Sequence, residues 1–64
     1  MIIGKIYNIH NKIDNTIIKG KLIDIKNIEF NKCYNFIIID KYNPYLYKRY
    51  INIEYSDIYE FIED

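Results

Sequence analysis

The sequence predicts an all-β or mainly β fold, in which five short strands form a small barrel or a coiled antiparallel sheet. Isoleucine, tyrosine and other residues that favour strands recur in short runs along the chain. Asparagine, aspartate and proline, which favour turns, separate these runs. The longest run, Thr16–Phe30, is too long to lie flat in a protein of 64 residues and contains Gly20. We therefore expect this strand to bend.

Length and composition indicate one domain, residues 1–64. Half of the residues are hydrophobic, which is enough apolar material for a core. Together with the net charge of zero, this excludes the usual causes of disorder. The longest apolar run, Phe36–Ile39, is far shorter than the ~20 residues that span a bilayer. Cys33 is the only cysteine, so no internal disulfide forms. We expect a soluble, cytoplasmic protein that binds no membrane.

The first half of the chain contains two predicted strands. Ile2–Ile9 is rich in β-branched residues and is partly apolar on both faces, as in a barrel wall. Residues His10–Asn15 are expected to form a turn. Within Thr16–Phe30 the apolar residues change from one face to the other, which one inserted residue in a β-bulge produces. Gly20 or the pair Leu22–Ile23 is the expected site of the bulge.

Two further strands follow. A turn at Asn31–Lys32 leads into Cys33–Tyr42, whose apolar residues on both faces predict a central strand. Asn43–Pro44 is a typical turn dipeptide. Tyr45–Tyr55 has the clearest alternation of apolar and polar residues in the chain, which predicts the fourth strand.

The last residues predict a single helical turn at Ser56–Ile58 and then a short strand, Tyr59–Ile62. Ser56 is a residue that caps helices, so a short helix to the C-terminus is the alternative. Such a helix would end in Glu63 and Asp64, whose negative charge opposes the helix dipole. We therefore prefer the turn and strand.

This order of elements resembles SH3-like and Sm-like small β-barrels. The stretch KGKLIDI (19–25) resembles the strand that bends at a glycine in Sm-like proteins. The stretch YINIEYSDIYEFIE (50–63) resembles the strand, helical turn and final strand of SH3-like barrels. The resemblance is to the fold and to no specific family, and a shared fold does not determine function.

No pattern of catalytic or metal-binding residues is present. His10 is the only histidine, and a Cys33–His10 pair would need a third orienting group and a cleft. A metal site needs three or four closely spaced ligands, whereas the acidic residues are dispersed. We therefore expect a protein that is not an enzyme and that holds no metal and no cofactor.

The stretch Tyr42–Tyr50 carries the candidate binding residues. Tyrosine and arginine are enriched at the energetic centres of protein interfaces. The same mixture suits single-stranded nucleic acid, because tyrosines stack on bases and cations meet phosphates. In a third interpretation Tyr45 and Tyr47 line the barrel and have no binding role. The candidate residues are Tyr42, Tyr45, Tyr47, Lys48, Arg49 and Tyr50.

The distribution of charge helps to decide between a protein partner and nucleic acid. Residues 54–64 carry five acids and no base, so the rest of the chain, with nine bases and four acids, has a charge of about +5. This asymmetry can orient a partner, including a second copy in a homodimer. The zero net charge disfavours nucleic acid as the partner, since phosphate binders carry a positive excess.

We therefore predict a non-enzymatic protein-binding module. The chain favours amino acids with A/T-rich codons, which indicates a low-GC bacterium, one of its phages or a large DNA virus. On this basis we expect a phage- or virus-encoded inhibitor or adaptor of a host protein, acting in the host cytoplasm. The alternative is a single-stranded nucleic-acid binder with Lys19, Lys21, Lys48 and Arg49 on one surface. A third possibility is an oligomer that sequesters a nucleotide at its seam.

Overall fold

A computed structural model describes the whole chain, residues 1–64. All neighbouring strands are antiparallel, in the spatial order β4-β3-β2-β1-β5. The outer strands β4 and β5 do not pair with each other, so the sheet is open, in agreement with the predicted coiled antiparallel sheet. The strands are β1 Ile6–Asn11, β2 Ile17–Ile28, β3 Asn31–Ile38, β4 Tyr50–Glu54 and β5 Tyr59–Glu63.

Alternate residues of the strands build the core. Successive side chains of a strand point to opposite faces, and one face of this sheet, which we call the inner face, carries all of the buried side chains. The ring of Phe36 lies at the centre, 6.4 Å from that of Tyr7 and 5.6 Å from that of Phe61. The buried hydrophobic residues are Tyr7, Ile9, Leu22, Tyr34, Phe36, Ile38 and Ile53.

The β-bulge in β2 lies at one of the two predicted sites. The pairing of β2 with β3 shifts register between Leu22 and Asp24, which leaves Ile23 as the extra residue. The inner face of β2 therefore continues from Leu22 to Ile25, as the change of apolar face predicted.

Gly20 has a different role from the bulge. It pairs regularly with Tyr7 and Ile38, and its φ is not positive. A Cβ at this position would lie 3.1 Å from Ile9 Cδ1 and 3.2 Å from Phe36 Cβ. The core therefore packs directly against the backbone of Gly20, which leaves no room for a side chain larger than a methyl group.

The first strand is shifted along the chain from its predicted position. It begins at Ile6 and continues through His10 and Asn11, which were expected to lie in a turn. The turn is consequently shorter, and it is closed by Asp14, whose Oδ1 accepts hydrogen bonds from the Thr16 backbone N–H (2.9 Å) and hydroxyl (2.7 Å). These bonds, the backbone bond first, lower the pKa of Asp14 below its ordinary value.

The predicted turn at Asn31–Lys32 is wrong by two residues. Glu29 and Phe30 connect β2 to β3, with φ angles of 50° and 72°. A two-residue hairpin loop favours such left-handed backbone because its twist then matches that of the strands. Sequences such as Asn-Gly usually mark this turn, and neither residue type is present here, so the composition did not reveal it.

The predicted strand Tyr45–Tyr55 is wrong in its first half, since β4 begins at Tyr50 and residues 39–49 form a loop. Only Tyr50–Glu54 pairs with a neighbouring strand.

The predicted helical turn at Ser56–Ile58 is a tight turn closed by a bond from Tyr59 N to Ser56 O of 3.4 Å, and no helix forms. The strand that follows agrees with the prediction. No helix capable of crossing a membrane is present.

Candidate functional site

The six predicted binding residues lie between the end of β3 and the start of β4. Five of them belong to residues 39–49, which we call the tyrosine loop, and Tyr50 is the first residue of β4. Tyr50 lies opposite Ile37 of β3 and points to the solvent-facing side of the sheet, which we call the outer face. The loop therefore leads directly into β4, which is an edge strand of the sheet.

Hydrogen bonds within the loop hold its backbone. The Asp40 carboxylate accepts a bond from Tyr42 N (3.0 Å), and the Asn43 carbonyl accepts one from Tyr47 N (3.0 Å). Lys48 N donates to the carbonyl of Ile38 (2.8 Å), which ties the end of the loop to β3. Leu46 packs against the core. The loop is thus fixed both to the sheet and to the apolar interior.

Three tyrosines project from this fixed backbone into solvent. Tyr42 is 98% exposed, Tyr45 is 85% exposed and Tyr50 is 66% exposed. Tyr47 is half-buried and does not belong to the core cluster. This geometry excludes the interpretation in which Tyr45 lines a barrel.

The loop carries three exposed cations, Lys41, Lys48 and Arg49. The ammonium group of Lys48 lies 5.5 Å from the centre of the Tyr47 ring, within the range of a cation–π contact. Lys48 also has a φ of 65°, a left-handed conformation that side chains other than glycine adopt at a cost. Neither Lys48 nor Arg49 forms an ion pair, since the ion pairs of the protein involve Lys5, His10 and Lys19. Both charges are therefore free to meet carboxylates of another molecule.

A shallow cavity of about 330 Å³ adjoins the tyrosine loop on the outer face. Lys19 and Tyr42 share this cavity, and Ile17 and Ile39 provide its apolar surface. Sequence reasoning missed both isoleucines because they lie in runs that read as core strands. The lining residues are Asn8, Ile17, Lys19, Ile39, Asp40, Lys41 and Tyr42.

The lysines required for nucleic-acid binding are only partly brought together. Lys21 lies on the outer face beside Ile37, which separates it from Tyr50. Lys19 lies near Tyr42, but its ammonium group is 3.3 Å from the carboxylate of Asp64. The outer face therefore has cations near tyrosines, but Asp64 already neutralises the charge of Lys19.

His10 and Cys33 do not form a catalytic pair. His10 lies opposite Ile17 and Cys33 lies opposite Lys26, so nine residues of β2 separate their positions. At about 3.3 Å per residue this distance is on the order of 30 Å. His10 instead contacts Glu60, with 3.7 Å between Nδ1 and Oε2. No group of three His, Cys, Asp or Glu side chains is placed to hold a metal ion.

Phe30 is a further exposed aromatic residue, which the sequence analysis assigned to a strand. It lies in the two-residue β2–β3 turn, and its side chain is fully exposed. This turn is at the opposite end of β3 from the tyrosine loop, so Phe30 does not belong to the same surface.

Comparison of the chain with protein-family models, with curated proteins and with solved structures finds no match. The function proposed below is therefore supported by the residues and their geometry.

Proposed function

We propose that the protein is a non-enzymatic protein-binding module whose partner docks on the tyrosine loop and Tyr50. The observation that carries this proposal is the exposure of Tyr42, Tyr45 and Tyr50 on a backbone fixed by hydrogen bonds. Tyrosine has a large contact area and few rotatable bonds, so its burial in an interface is favourable at a low entropic cost. A loop that is already ordered further reduces the cost of binding.

The chemistry of the surface defines the partner. Lys48 and Arg49 carry unpaired positive charges beside the exposed tyrosines. An arginine at the centre of an interface pairs with a carboxylate in a fixed geometry and is often an energetic centre. We propose a partner surface that combines an apolar groove with Asp or Glu side chains. The codon-biased composition supports a phage or viral origin, and on that basis we propose a host cytoplasmic protein as the partner and an inhibitor or adaptor role for the chain.

Single-stranded nucleic acid is the second candidate. Its support is the outer face, where Lys19 and Tyr42 share a cavity and Lys21 lies two strands from Tyr50. A base that stacks on Tyr42 would place its phosphate near Lys19. We rank this candidate second because the net charge is zero and most of the affinity for phosphate backbones is electrostatic.

We also propose that the fold is related to SH3-like small barrels. The support is the order of elements: five antiparallel strands, a long second strand that contains Gly20, and a tight turn before the last strand. This relation makes no prediction of the partner.

A pull-down from host lysate tests the proposed function. The wild-type protein is used as bait with and without nuclease, at low and at moderate salt. We expect a discrete protein that is retained after nuclease treatment and at the higher salt. The variant Tyr47→Ala/Arg49→Ala should lose this protein, whereas Tyr55→Ala, which removes an exposed tyrosine outside the loop, should retain it.

Two results would contradict the proposal. Capture of nucleic acid that decreases steeply as salt rises would establish the second candidate instead. Equal capture by wild type and by Tyr47→Ala/Arg49→Ala, with both proteins folded, would show that the tyrosine loop is not the binding surface.

A further inference from the structure

Strand β4 is an open edge of the sheet. Two hydrogen bonds, from Ile38 N to Arg49 O (2.9 Å) and from Tyr55 N to Lys32 O (2.8 Å), show which residues of this segment face β3. In an antiparallel pair these residues alternate with residues whose N–H and C=O groups point away from the neighbour. The backbone groups of Tyr50, Asn52 and Glu54 therefore point away from β3, where no strand borders them.

This edge is short, with five residues, and ends in Glu54, but it lacks the features that block strand pairing most directly. Natural proteins block such edges with proline, with a bulge or with lysine inside the strand. β4, YINIE, contains none of these, and its pairing with β3 is regular. A free and regular edge of this kind is a template for another strand.

We propose that β4 pairs with β4 of a second copy of the chain, antiparallel, about a two-fold axis at Asn52. In this arrangement Asn52 lies opposite Asn52 of the second copy, and Tyr50 lies opposite its Glu54. Every outward-pointing N–H and C=O group of the edge then has a partner. A two-fold axis requires a self-complementary surface, and this strand provides one.

The faces of the two sheets agree in this arrangement. Residues directly opposite each other in a sheet have their side chains on the same face. Tyr50, Asn52 and Glu54 all lie on the outer face, so the inner face of one copy continues into the inner face of the other. Ile51 and Ile53 of both copies then adjoin. These two residues line a cavity of about 240 Å³ that residues of β1, β2 and β5 also line, and the second copy would border it beside β4.

The charges at the two ends of β4 are also complementary in this arrangement. Lys48 and Arg49 immediately precede β4, and Glu54 is its last residue. Antiparallel pairing places the basic start of each strand beside Glu54 of the other copy, and the two-fold axis repeats this contact.

The other open edge, β5, does not provide an equivalent pairing. Bonds from Lys12 N to Ile58 O (2.8 Å) and from Asp64 N to Ile6 O (2.9 Å) leave the backbone of Tyr59, Phe61 and Glu63 facing outward. Antiparallel pairing of β4 with β5 would therefore join the outer face of one copy to the inner face of the other. Parallel pairing of β4 with β5 would place Glu54 beside Glu63 and Asp64. Pairing of β5 with β5 would bring two acidic segments together.

A cross-linking experiment tests the proposal directly. In a Cys33→Ser background, Asn52→Cys places one thiol at the proposed axis. Residues directly opposite in an antiparallel sheet are about 5.5 Å apart at most, which is within the range of a disulfide. We expect rapid formation of a covalent dimer under mild oxidation on a non-reducing gel. The control Glu60→Cys, exposed on β5, should remain largely monomeric.

A second variant tests the hydrogen bonds of the edge. Asn52→Pro removes an N–H group that is not bonded to β3, and proline is tolerated at such positions of edge strands. Wild type and Asn52→Ala should sediment as dimers at concentrations where Asn52→Pro sediments as a monomer, with circular dichroism confirming that all three are folded.

A wild-type protein that is monomeric at every concentration would overturn the proposal. So would cross-linking of Asn52→Cys that is no faster than that of Glu60→Cys, or a dimer that persists in folded Asn52→Pro. Tyr50, Lys48 and Arg49 belong both to the proposed partner surface and to the proposed seam. The two proposals are distinguished because partner capture and oligomeric state are measured separately, and Asn52 belongs only to the seam.

Discussion

The tyrosines of β1 and β3 and the tyrosines of the loop are chemically identical but occupy opposite environments. Tyr7 and Tyr34 are 4% and 7% exposed, whereas Tyr42 and Tyr45 are 98% and 85% exposed. Tyr7 and Tyr34 occupy inner-face positions of strands, where their rings meet those of Phe36 and Phe61. Tyr42 and Tyr45 lie in a loop that turns away from the core. Position within the alternation of a strand, and not residue type, determines which tyrosines stabilise the fold.

The two regions also differ in what stabilises their backbones. Strand pairing and burial of apolar side chains hold β1 to β3. Local hydrogen bonds and the packing of Leu46 hold the tyrosine loop. Substitutions in the two regions should therefore have very different effects on stability.

The largest effect is expected for Phe36→Ala. Phe36 is completely buried among aromatic and aliphatic side chains, and removal of such a ring costs about 3–5 kcal/mol. The matched substitution Tyr45→Ala should change the free energy of unfolding by less than about 0.5 kcal/mol, as exposed positions usually do. Urea denaturation of both variants measures the difference. Similar losses for the two would show that the loop is part of the core.

A smaller loss is expected for Gly20→Val. The branched side chain would overlap Ile9 and Phe36, and overpacking of this kind costs about 1–3 kcal/mol. Gly20→Ala is the control, since one methyl group requires a shift of only a few tenths of an ångström. We expect its unfolding midpoint to remain near that of wild type. An unchanged midpoint for Gly20→Val would mean that the core does not pack against this backbone.

The smallest of the three effects on stability is a gain. Replacement of Glu29–Phe30 by Asn-Gly should stabilise the protein by about 1–2 kcal/mol, because it removes the cost of left-handed backbone at two ordinary residues. Thermal denaturation detects the gain. Phe30→Ala is the control for loss of the aromatic side chain and should not raise the melting temperature. A lower melting temperature for the Asn-Gly variant would contradict the turn geometry.

The sequence predicted the elements of the fold better than their ends. The change of apolar face within Thr16–Phe30 located the bulge at Leu22–Ile23 because a bulge leaves a visible break in alternation. The turn at Glu29–Phe30 was missed because these residues carry no turn signal. Strand β4 was predicted too long because Tyr45–Lys48 alternates like a strand. In the structure this segment belongs to the loop, and Leu46 is the side chain that packs against the core.

The candidate site was predicted only as a list of residues. Composition identified the stretch Tyr42–Tyr50, since tyrosine and arginine together are typical of interfaces. It did not distinguish exposed from buried tyrosines, because that depends on where β3 ends. It also did not reveal the adjoining cavity, which Ile17 and Ile39 form across separate parts of the chain.

The double variant Tyr42→Ala/Tyr45→Ala tests the central claim most directly, with partner capture and urea unfolding measured on the same preparation. Tyr55→Ala serves as the control. We predict that the double variant unfolds at the wild-type urea concentration and loses the partner, while Tyr55→Ala retains it. A double variant that is strongly destabilised, or one that captures the partner as wild type does, would contradict a binding surface at the tyrosine loop.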